Sequence, residues 1–182
     1  MVTIVTSNEG KFREFKSILD VPLKRKNLDL EEIQSVDVGR VVKHKLKQAY
    51  EILGEPVIVE DTGLFIEDLN GLPGALVRFF LERMGNEGIC SIVGDNKKAY
   101  AETCIGYMNS KDERMFKGRL EGKIVEEPRG NKGFGWGPTF LPKGERLTFG
   151  QMEKEKKNSI SMRKKAIKKL EKYLNLREDN KA

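Results

Sequence analysis

The chain has 182 residues, of which 38% are hydrophobic and 34% are charged. This length supports one domain with its own core. The two cysteines, Cys90 and Cys104, are too few for a disulfide framework and are expected to be buried thiols. No apolar run approaches the roughly 20 residues of a membrane-spanning helix, and a basic signal-peptide start is absent, so we expect a cytoplasmic protein with no membrane partner. The net charge of +6 favours anionic ligands such as nucleotides or nucleic acid.

The first predicted unit is a strand, a tight polar loop and a helix. The run Thr3–Thr6 predicts the strand, and apolar residues at helical spacing predict a helix over residues 11–19. The loop between them is Thr6-Ser7-Asn8-Glu9-Gly10-Lys11. A loop of this kind presents backbone N–H groups of a helix N-terminus to an anion, and the lysine adds a positive charge. It lacks the Walker A spacing, and a plain helix cap explains it equally well.

The next elements lead to two adjacent carboxylates. Residues 28–36 predict an extended segment, and an apolar stripe predicts a helix from Val38 to Leu53. The run Val57–Val59 is apolar throughout, which predicts a central strand buried on both faces. It leads into Glu60-Asp61-Thr62-Gly63, at the strand end where open α/β sheets bind ligands. Both carboxylates serve one Mg²⁺ site only if the strand turns there; a turn or helix cap is the alternative.

The middle of the chain predicts helices, a hairpin and a loop. Helices are predicted over residues 76–84 and 87–93, and paired strands over residues 100–109 and 114–124. An ordered loop over residues 128–142 follows. In it, glycines flank Phe134 and Trp136, so that a flat ligand could stack on an aromatic ring. By itself, a glycine-rich turn with core aromatics is the better explanation of this run.

The last helix is predicted to begin near Ser161, a residue that suits a helix N-cap. Lys157 and Arg163 lie on either side of it, and a charged cap explains them as well as a binding site does. Residues 175–182 form a polar tail that we expect to fray. The single histidine, His44, and the cysteine spacing argue against a zinc site. Nothing divides the chain, so we predict a single domain over residues 1–182.

Together, these segments resemble the inosine triphosphate pyrophosphatase family, which includes dITP/XTP pyrophosphatases. The family's T/S-x-N-x-x-K loop matches residues 6–11, and its E/D-D-S/T-G strand end matches residues 60–63. Its G-x-I-x-x-x-P-R-G-x-x-G-F-G-[WY] run matches residues 122–136. Its closing E-K-[NS]-x-[IVL]-S-H-R pattern appears in altered form at residues 156–163. The resemblance covers nearly the whole chain in the family's order.

This resemblance implies a fold and a reaction. The fold is α/β, with an elongated, strongly twisted mixed sheet flanked by helices and two lobes around a central nucleotide-binding cleft. The protein is implied to be a homodimer that needs no nucleic acid. The reaction is the hydrolysis of ITP, dITP or XTP to the monophosphate and pyrophosphate, with Mg²⁺ as cofactor, which sanitises the nucleotide pool.

The resemblance also implies roles for individual residues. Asp61, which activates or orients the water, and Lys11, which neutralises phosphate charge, are the implied catalytic residues. Glu60 and Asp61 are the implied Mg²⁺ ligands. The implied substrate-binding residues are Thr6, Ser7, Asn8, Lys11, Thr62, Phe134, Gly135, Trp136, Gly137, Lys157, Met162 and Arg163.

Three departures from the family pattern predict weakened metal binding and a changed base preference. Residues 40–44 hold no acid where the family carries a metal-binding glutamate. Gly137 replaces a base-facing aspartate, and Met162 replaces a histidine. Because selectivity through hydrogen bonds needs polar partners for the base, we expect only a shallow preference for ITP or XTP over ATP and GTP.

Two other functions are open on the sequence. The first is a nucleotide-binding protein that no longer hydrolyses its ligand, with the charge of Lys43 in place of that of Mg²⁺. The second is a nucleic-acid binder that uses the basic stretch 154–172. Against the second, the aromatic residues do not alternate with the lysines as they do on surfaces that bind single strands.

Overall fold

The computed structural model describes residues 1–132 and 135–179. The strands are β1 (Val2–Val5), β2 (Leu23–Lys26), β3 (Val57–Ile66), β4 (Pro73–Gly74), β5 (Lys98–Met108), β6 (Glu113–Ile124) and β7 (Phe140–Pro142). The helices are α1 (Glu9–Ile18), α2 (Val38–Leu53), α3 (Val77–Ser91), α4 (Lys154–Ile160) and α5 (Met162–Asp179), with 3₁₀ turns at Glu67–Leu69 and Gly137–Thr139. Among these described helices, none combines the length and the apolar character needed to cross a membrane.

One mixed sheet organises the molecule. Its strand order is β2-β1-β3-β5-β6-β7, and β4 pairs with β3 beside this path. β1 is parallel to β2 and β3, whereas β5 is antiparallel to β3 and β6. The first residues of β3 are fully buried because Val57 and Val59 pack under α2 while Ile58 packs under α5. The prediction of a mixed α/β sheet flanked by helices is therefore confirmed.

The predicted hairpin is present as β5 and β6. The side chain of Asn109 closes its turn by accepting hydrogen bonds from the backbone N–H groups of Lys111 at 2.8 Å and Asp112 at 2.9 Å. Helix α5 lies directly on β6, where a Cβ atom added to Gly118 would lie 2.0 Å from the carbonyl oxygen of Met162. A glycine at this position therefore lets the first turn of α5 contact the strand backbone.

Several predicted boundaries differ from the observed ones. The strand predicted over residues 28–36 lies earlier, as β2, and residues 27–35 are irregular. The sequence pattern did not predict β2 because three of its four residues, Leu23–Lys26, are charged. Charged residues of this kind often occur on edge strands. The two predicted helices after residue 76 are the two parts of α3, which breaks at Gly85 with a φ of 68°. Of the predicted polar tail, residues 175–179 continue α5, and residues 180–182 lie outside the described residues.

Both cysteines are buried and unbridged, as predicted. Burial raises the pKa of Cys90 to about 11 and that of Cys104 to about 12. These thiols therefore stay protonated near neutral pH and act as small apolar core groups.

Candidate active site

A cavity of about 850 Å³ lies beside the middle of β3. This volume falls within the range of small-molecule sites. The predicted site residues that the structure describes all line it, and they are Thr6, Ser7, Asn8, Lys11, Glu60, Asp61, Thr62, Gly135, Trp136, Gly137, Lys157, Met162 and Arg163. Phe134, the predicted base-stacking residue, lies outside the described residues. The structure thus brings together segments that are far apart in the sequence.

A gap in the sheet creates this cavity. β1 pairs with β3 only at Val57 and Ile58, and β4 pairs with β3 only at Leu64 and Phe65. Between these pairings, residues 60–62 have an edge without a strand partner in the described part of the chain. Side chains from both faces of the strand can therefore reach the same space.

β3 does not turn at its carboxylates, although a turn was the condition under which both were expected to serve one site. Glu60 and Asp61 pair in regular register with Ile105 and Cys104, and β3 continues to Ile66. Both carboxylates nevertheless line the cavity. The physical reason is the open strand edge, which is set by where β1 ends and β4 begins, so the local sequence does not reveal it.

The loop after β1 is both a helix cap and a wall of the cavity. The side chain of Asn8 accepts a hydrogen bond from the backbone N–H of Lys11 at 3.1 Å, and the Thr6 hydroxyl accepts one from the backbone N–H of Asn8 at 3.1 Å. The Lys11 ammonium lines the cavity and forms an ion pair with Glu60. The helix-cap interpretation is therefore correct, and it also places the lysine beside the carboxylates.

Glu60 is the centre of a buried charge network. Arg163 donates to its carboxylate through Nε at 3.0 Å and forms a second ion pair with Glu14. Burial alone would raise the pKa of Glu60, but the charges of Arg163 and Lys11 outweigh burial and hold the pKa at about 2. Burial likewise opposes the charge of Arg163, but its two acidic partners raise its pKa. Glu60 is thus ionised and neutralised within the protein.

Asp61 has a different environment. Burial raises its pKa above the ordinary value, although the charges of Lys11 and Lys45 oppose the shift. Its neighbour Thr62 shares a hydrogen bond of 2.7 Å with the hydroxyl of Thr103, its partner on β5. A carboxylate with a raised pKa at the edge of a cavity is a candidate general base.

Several charged residues of this region were absent from the sequence-based prediction. Glu32 and Lys45 line the cavity and share a hydrogen bond of 2.8 Å, and Arg78 lines it at the start of α3. Glu14 is linked to the site through Arg163, which donates a hydrogen bond to its carboxylate. Burial would raise the pKa of Glu32, but the hydrogen bond from Lys45 and the nearby positive charges together outweigh burial and lower the pKa. Glu32 belongs to an irregular segment without periodicity, so its only signal in the sequence is the acidic pair Glu31-Glu32.

Aromatic and apolar groups form another part of the lining. The Trp136 ring meets Phe140 edge-on, with ring centroids 5.7 Å apart, so it is held by the core. The Lys157 ammonium lies 5.6 Å from the centroid of the Phe149 ring, and burial lowers the pKa of Lys157. Ser161 caps α5, as predicted, by accepting from the backbone N–H of Lys164 at 3.1 Å.

Comparison with known proteins identifies the family. The model of the Ham1 family matches residues 2–173 of this chain. The chain belongs to the Ham1 family. It is 44% identical over 172 residues to a protein of Trypanosoma cruzi named inosine triphosphate pyrophosphatase 1, covering 91% of this chain and 88% of that protein. It is 41% identical to a dITP/XTP pyrophosphatase of Methanopyrus kandleri, covering 91% and 92% respectively.

Solved structures agree with the fold. A Ham1 protein from Coxiella burnetii superposes with a TM-score of 0.85 at 25% identity, covering 96% of this chain and 98% of that one. The Staphylococcus aureus Ham1 protein superposes with a TM-score of 0.77 at 26% identity, with the same coverage. The Ham1 fold therefore extends over nearly the whole chain.

Proposed function

We propose that this Ham1-family chain is a hydrolase that converts ITP, dITP and XTP to the monophosphate and pyrophosphate, and so sanitises the nucleotide pool. The observation that carries the proposal is the open edge of β3, where Asp61 faces a nucleotide-sized cavity beside Lys11 and Lys45. The names of the trypanosomal and archaeal relatives support the same substrates.

In the proposed reaction, water attacks the α-phosphorus and pyrophosphate leaves. Lys11 and Lys45 neutralise the phosphates, while the loop around Asn8 offers backbone donors at the start of α1. Asp61 accepts the proton of the attacking water. Its raised pKa suits this role, because a general base works best when its pKa approaches the working pH. Glu60 holds Lys11 and Arg163 in place.

We propose Mg²⁺ as the cofactor. The described residues contain no group of three or more acidic, histidine or cysteine side chains that could hold a metal. Mg²⁺ commonly takes one or two carboxylates together with substrate phosphates and water, and Asp61 and Glu32 fit that mode because both line the cavity. Glu60 fits it less well because its side chain is only 1% exposed and lies between two cations, whereas that of Glu32 is 46% exposed. When bound, Mg²⁺ would neutralise charge on the phosphates.

The base is proposed to lie near Trp136 and Lys157. The half-buried Lys157 is proposed to donate to acceptor atoms of a purine, and Phe134 is proposed to stack on the ring. Gly137 and Met162 line the same cavity. Gly137 has no side chain, and the thioether of Met162 is only a weak hydrogen-bond acceptor. Selection among purines then rests on fewer polar partners, which supports a shallow base preference.

We also propose that the protein is a cytoplasmic homodimer, on the strength of the family resemblance. Sedimentation equilibrium over a range of protein concentrations tests the dimer. A single species with the 20.7 kDa mass of one chain at all concentrations would contradict it.

A turnover screen tests the proposed function. Pyrophosphate release is measured with ITP, dITP, XTP, ATP and GTP in the presence of Mg²⁺, and the matching binding constants are measured by calorimetry. We expect turnover that is fastest with ITP, dITP or XTP. Binding of these nucleotides without any turnover would instead support the non-hydrolysing alternative.

A further inference from the structure

A second cavity, of about 670 Å³, lies at the end of the β5–β6 hairpin that is opposite its turn. The start of β5, the end of β6, and β7 with the residues that follow it form its walls. Its lining residues and those of the active-site cavity are two separate sets. Its volume falls within the range of small-molecule sites, so it can hold a ligand independently of the active site.

Three lysines surround this second cavity. Lys98 and Lys123 are direct partners in the β5–β6 ladder, and both line the cavity. Directly opposed side chains lie on the same face with Cβ atoms about 4.5–5.5 Å apart, where like charges repel each other. Lys143 also lines the cavity, and its backbone N–H donates to the carbonyl oxygen of Glu121 at 2.9 Å, which continues the pairing of β7 with β6. Residues from all three strand ends therefore bring positive charge to one space.

Two of the three acidic residues in the lining are neutralised from outside it. Glu121 forms an ion pair with Arg119 at 2.6 Å. Glu145 forms one with Lys156 at 2.7 Å. Neither of these two cations lines the second cavity. The third acidic residue, Glu67, accepts a hydrogen bond at 3.3 Å from a neutral side-chain amide and so keeps its charge.

The three lysines have no such partners. Within the described ranges, no ion pair or side-chain hydrogen bond engages the ammonium groups of Lys98, Lys123 and Lys143. All three residues are exposed, so their side chains can move onto a ligand. Three free ammonium groups thus face the one charge of Glu67, which leaves the cavity with an excess of two positive charges.

We propose that the second cavity binds a dianionic phosphate group, either inorganic phosphate or the phosphate of a small phosphomonoester. Such a group carries about two negative charges at neutral pH, which matches the excess charge of the cavity. Bound between Lys98 and Lys123, it relieves the repulsion across the ladder, and Lys143 adds a third ammonium contact. This site is additional to the proposed function and does not depend on it.

Backbone amide NMR locates the binding. Inorganic phosphate and glucose 6-phosphate are titrated separately into ¹⁵N-labelled protein without Mg²⁺ and at constant ionic strength. The amides of Gly122 and Gly144 report on the second cavity, and those of Asn8 and Lys11 report on the active site. We expect saturable shifts at Gly122 and Gly144 in the wild type. Saturation by both compounds identifies the phosphate group itself as the ligand, and saturation by glucose 6-phosphate alone identifies a phosphomonoester.

Two triple variants with the same change in net charge separate a site from general attraction. The first removes the three lysines of the cavity, as Lys98→Gln, Lys123→Gln and Lys143→Gln. The control removes three exposed lysines that do not line it, as Lys111→Gln, Lys154→Gln and Lys172→Gln. The first variant should weaken binding at Gly122 and Gly144 by about tenfold or more, because several charge-assisted contacts are lost. The control should stay within about twofold of wild type.

Three results would overturn the proposal. The first is the absence of a saturable shift at Gly122 and Gly144 with either compound. The second is a response confined to Asn8 and Lys11, which would place the anion in the active site. The third is equal weakening in the two triple variants, which would show that only the net charge of the protein attracts the anion. The single variant Lys98→Gln, measured in the same way, keeps the test valid if the triple variant is unfolded.

Discussion

The carboxylate of Glu60 has two cationic partners within the protein, Lys11 and Arg163. Its pKa of about 2 lies below the ordinary value of 4.5. The folded state therefore gains stability from ionised Glu60 at pH values above 4.5, and this gain is lost as the pH falls from 4.5 towards 2.

Replacement of Glu60 tests this linkage. Glu60→Gln should lower the free energy of unfolding by about 3 kcal/mol at pH 7, because Arg163 stays buried with one acidic partner fewer. The difference from wild type should shrink as the pH falls from 4.5 towards 2. Urea denaturation at pH 7, 4 and 3 measures both effects. A difference that is the same at each pH would show that Glu60 does not contribute through its charge.

Asp61 is the residue on which the proposed chemistry depends. Asp61→Asn should lower kcat for ITP by roughly several hundredfold or more, because it removes the base and a carboxylate for Mg²⁺ together, while ITP still binds. In the wild type, activity should decrease as the pH falls through the raised pKa of Asp61. Steady-state rates and calorimetry measure these quantities. Activity of the variant within about tenfold of wild type would remove Asp61 from the mechanism.

Base choice is predicted to change when the lost polar groups are restored. A Cβ atom on Gly137 would approach its neighbours no closer than 3.4 Å, so Gly137→Asp is sterically tolerable. Together with Met162→His, it should raise the ratio of kcat/KM for ITP to that for ATP. The expected increase corresponds to a free-energy difference of roughly 1–3 kcal/mol for each restored hydrogen-bonding group. The single variants are the controls. A wild-type ratio that already reaches roughly four orders of magnitude would show that other residues select the base.

At the scale of elements, α5 is positioned by its contact with β6. Its first residues, Met162 and Arg163, belong to the site, and the carbonyl of Met162 would lie 2.0 Å from a Cβ atom on Gly118. Gly118→Ala should therefore displace the start of α5, lower the free energy of unfolding by roughly 1–3 kcal/mol and raise KM for ITP. Lys123→Ala, at an exposed position of the same strand, is the control. Wild-type stability and KM in Gly118→Ala would refute this dependence.

Some elements could be predicted because their signals are local. Asn8 and Ser161 are caps that the adjacent sequence specifies, and the apolar run Val57–Val59 marks the central strand. The gap in the sheet beside Glu60 and Asp61 could not be predicted, since it depends on where distant strands pair. Glu32 was missed for a related reason, because only tertiary packing brings an irregular segment to the cavity.

At the scale of the molecule, some of the basic residues have a structural role. Lys165 and Lys169 donate to the carbonyl oxygens of Arg119 at 3.0 Å and Lys117 at 2.6 Å. β7 pairs with β6 only at residues 122–124, so these lysines satisfy carbonyl groups of β6 before that pairing begins. Part of the basic stretch 154–172 is thus engaged with the sheet.

The most direct test of the account is to identify the products of ITP. Purified protein is incubated with ITP and Mg²⁺ in water enriched in ¹⁸O, and the products are followed by ³¹P NMR. The account predicts IMP and pyrophosphate in equal amounts, with the label on IMP because water attacks the α-phosphorus. Formation of IDP and phosphate, label on pyrophosphate, or unchanged ITP in the presence of bound nucleotide would contradict it.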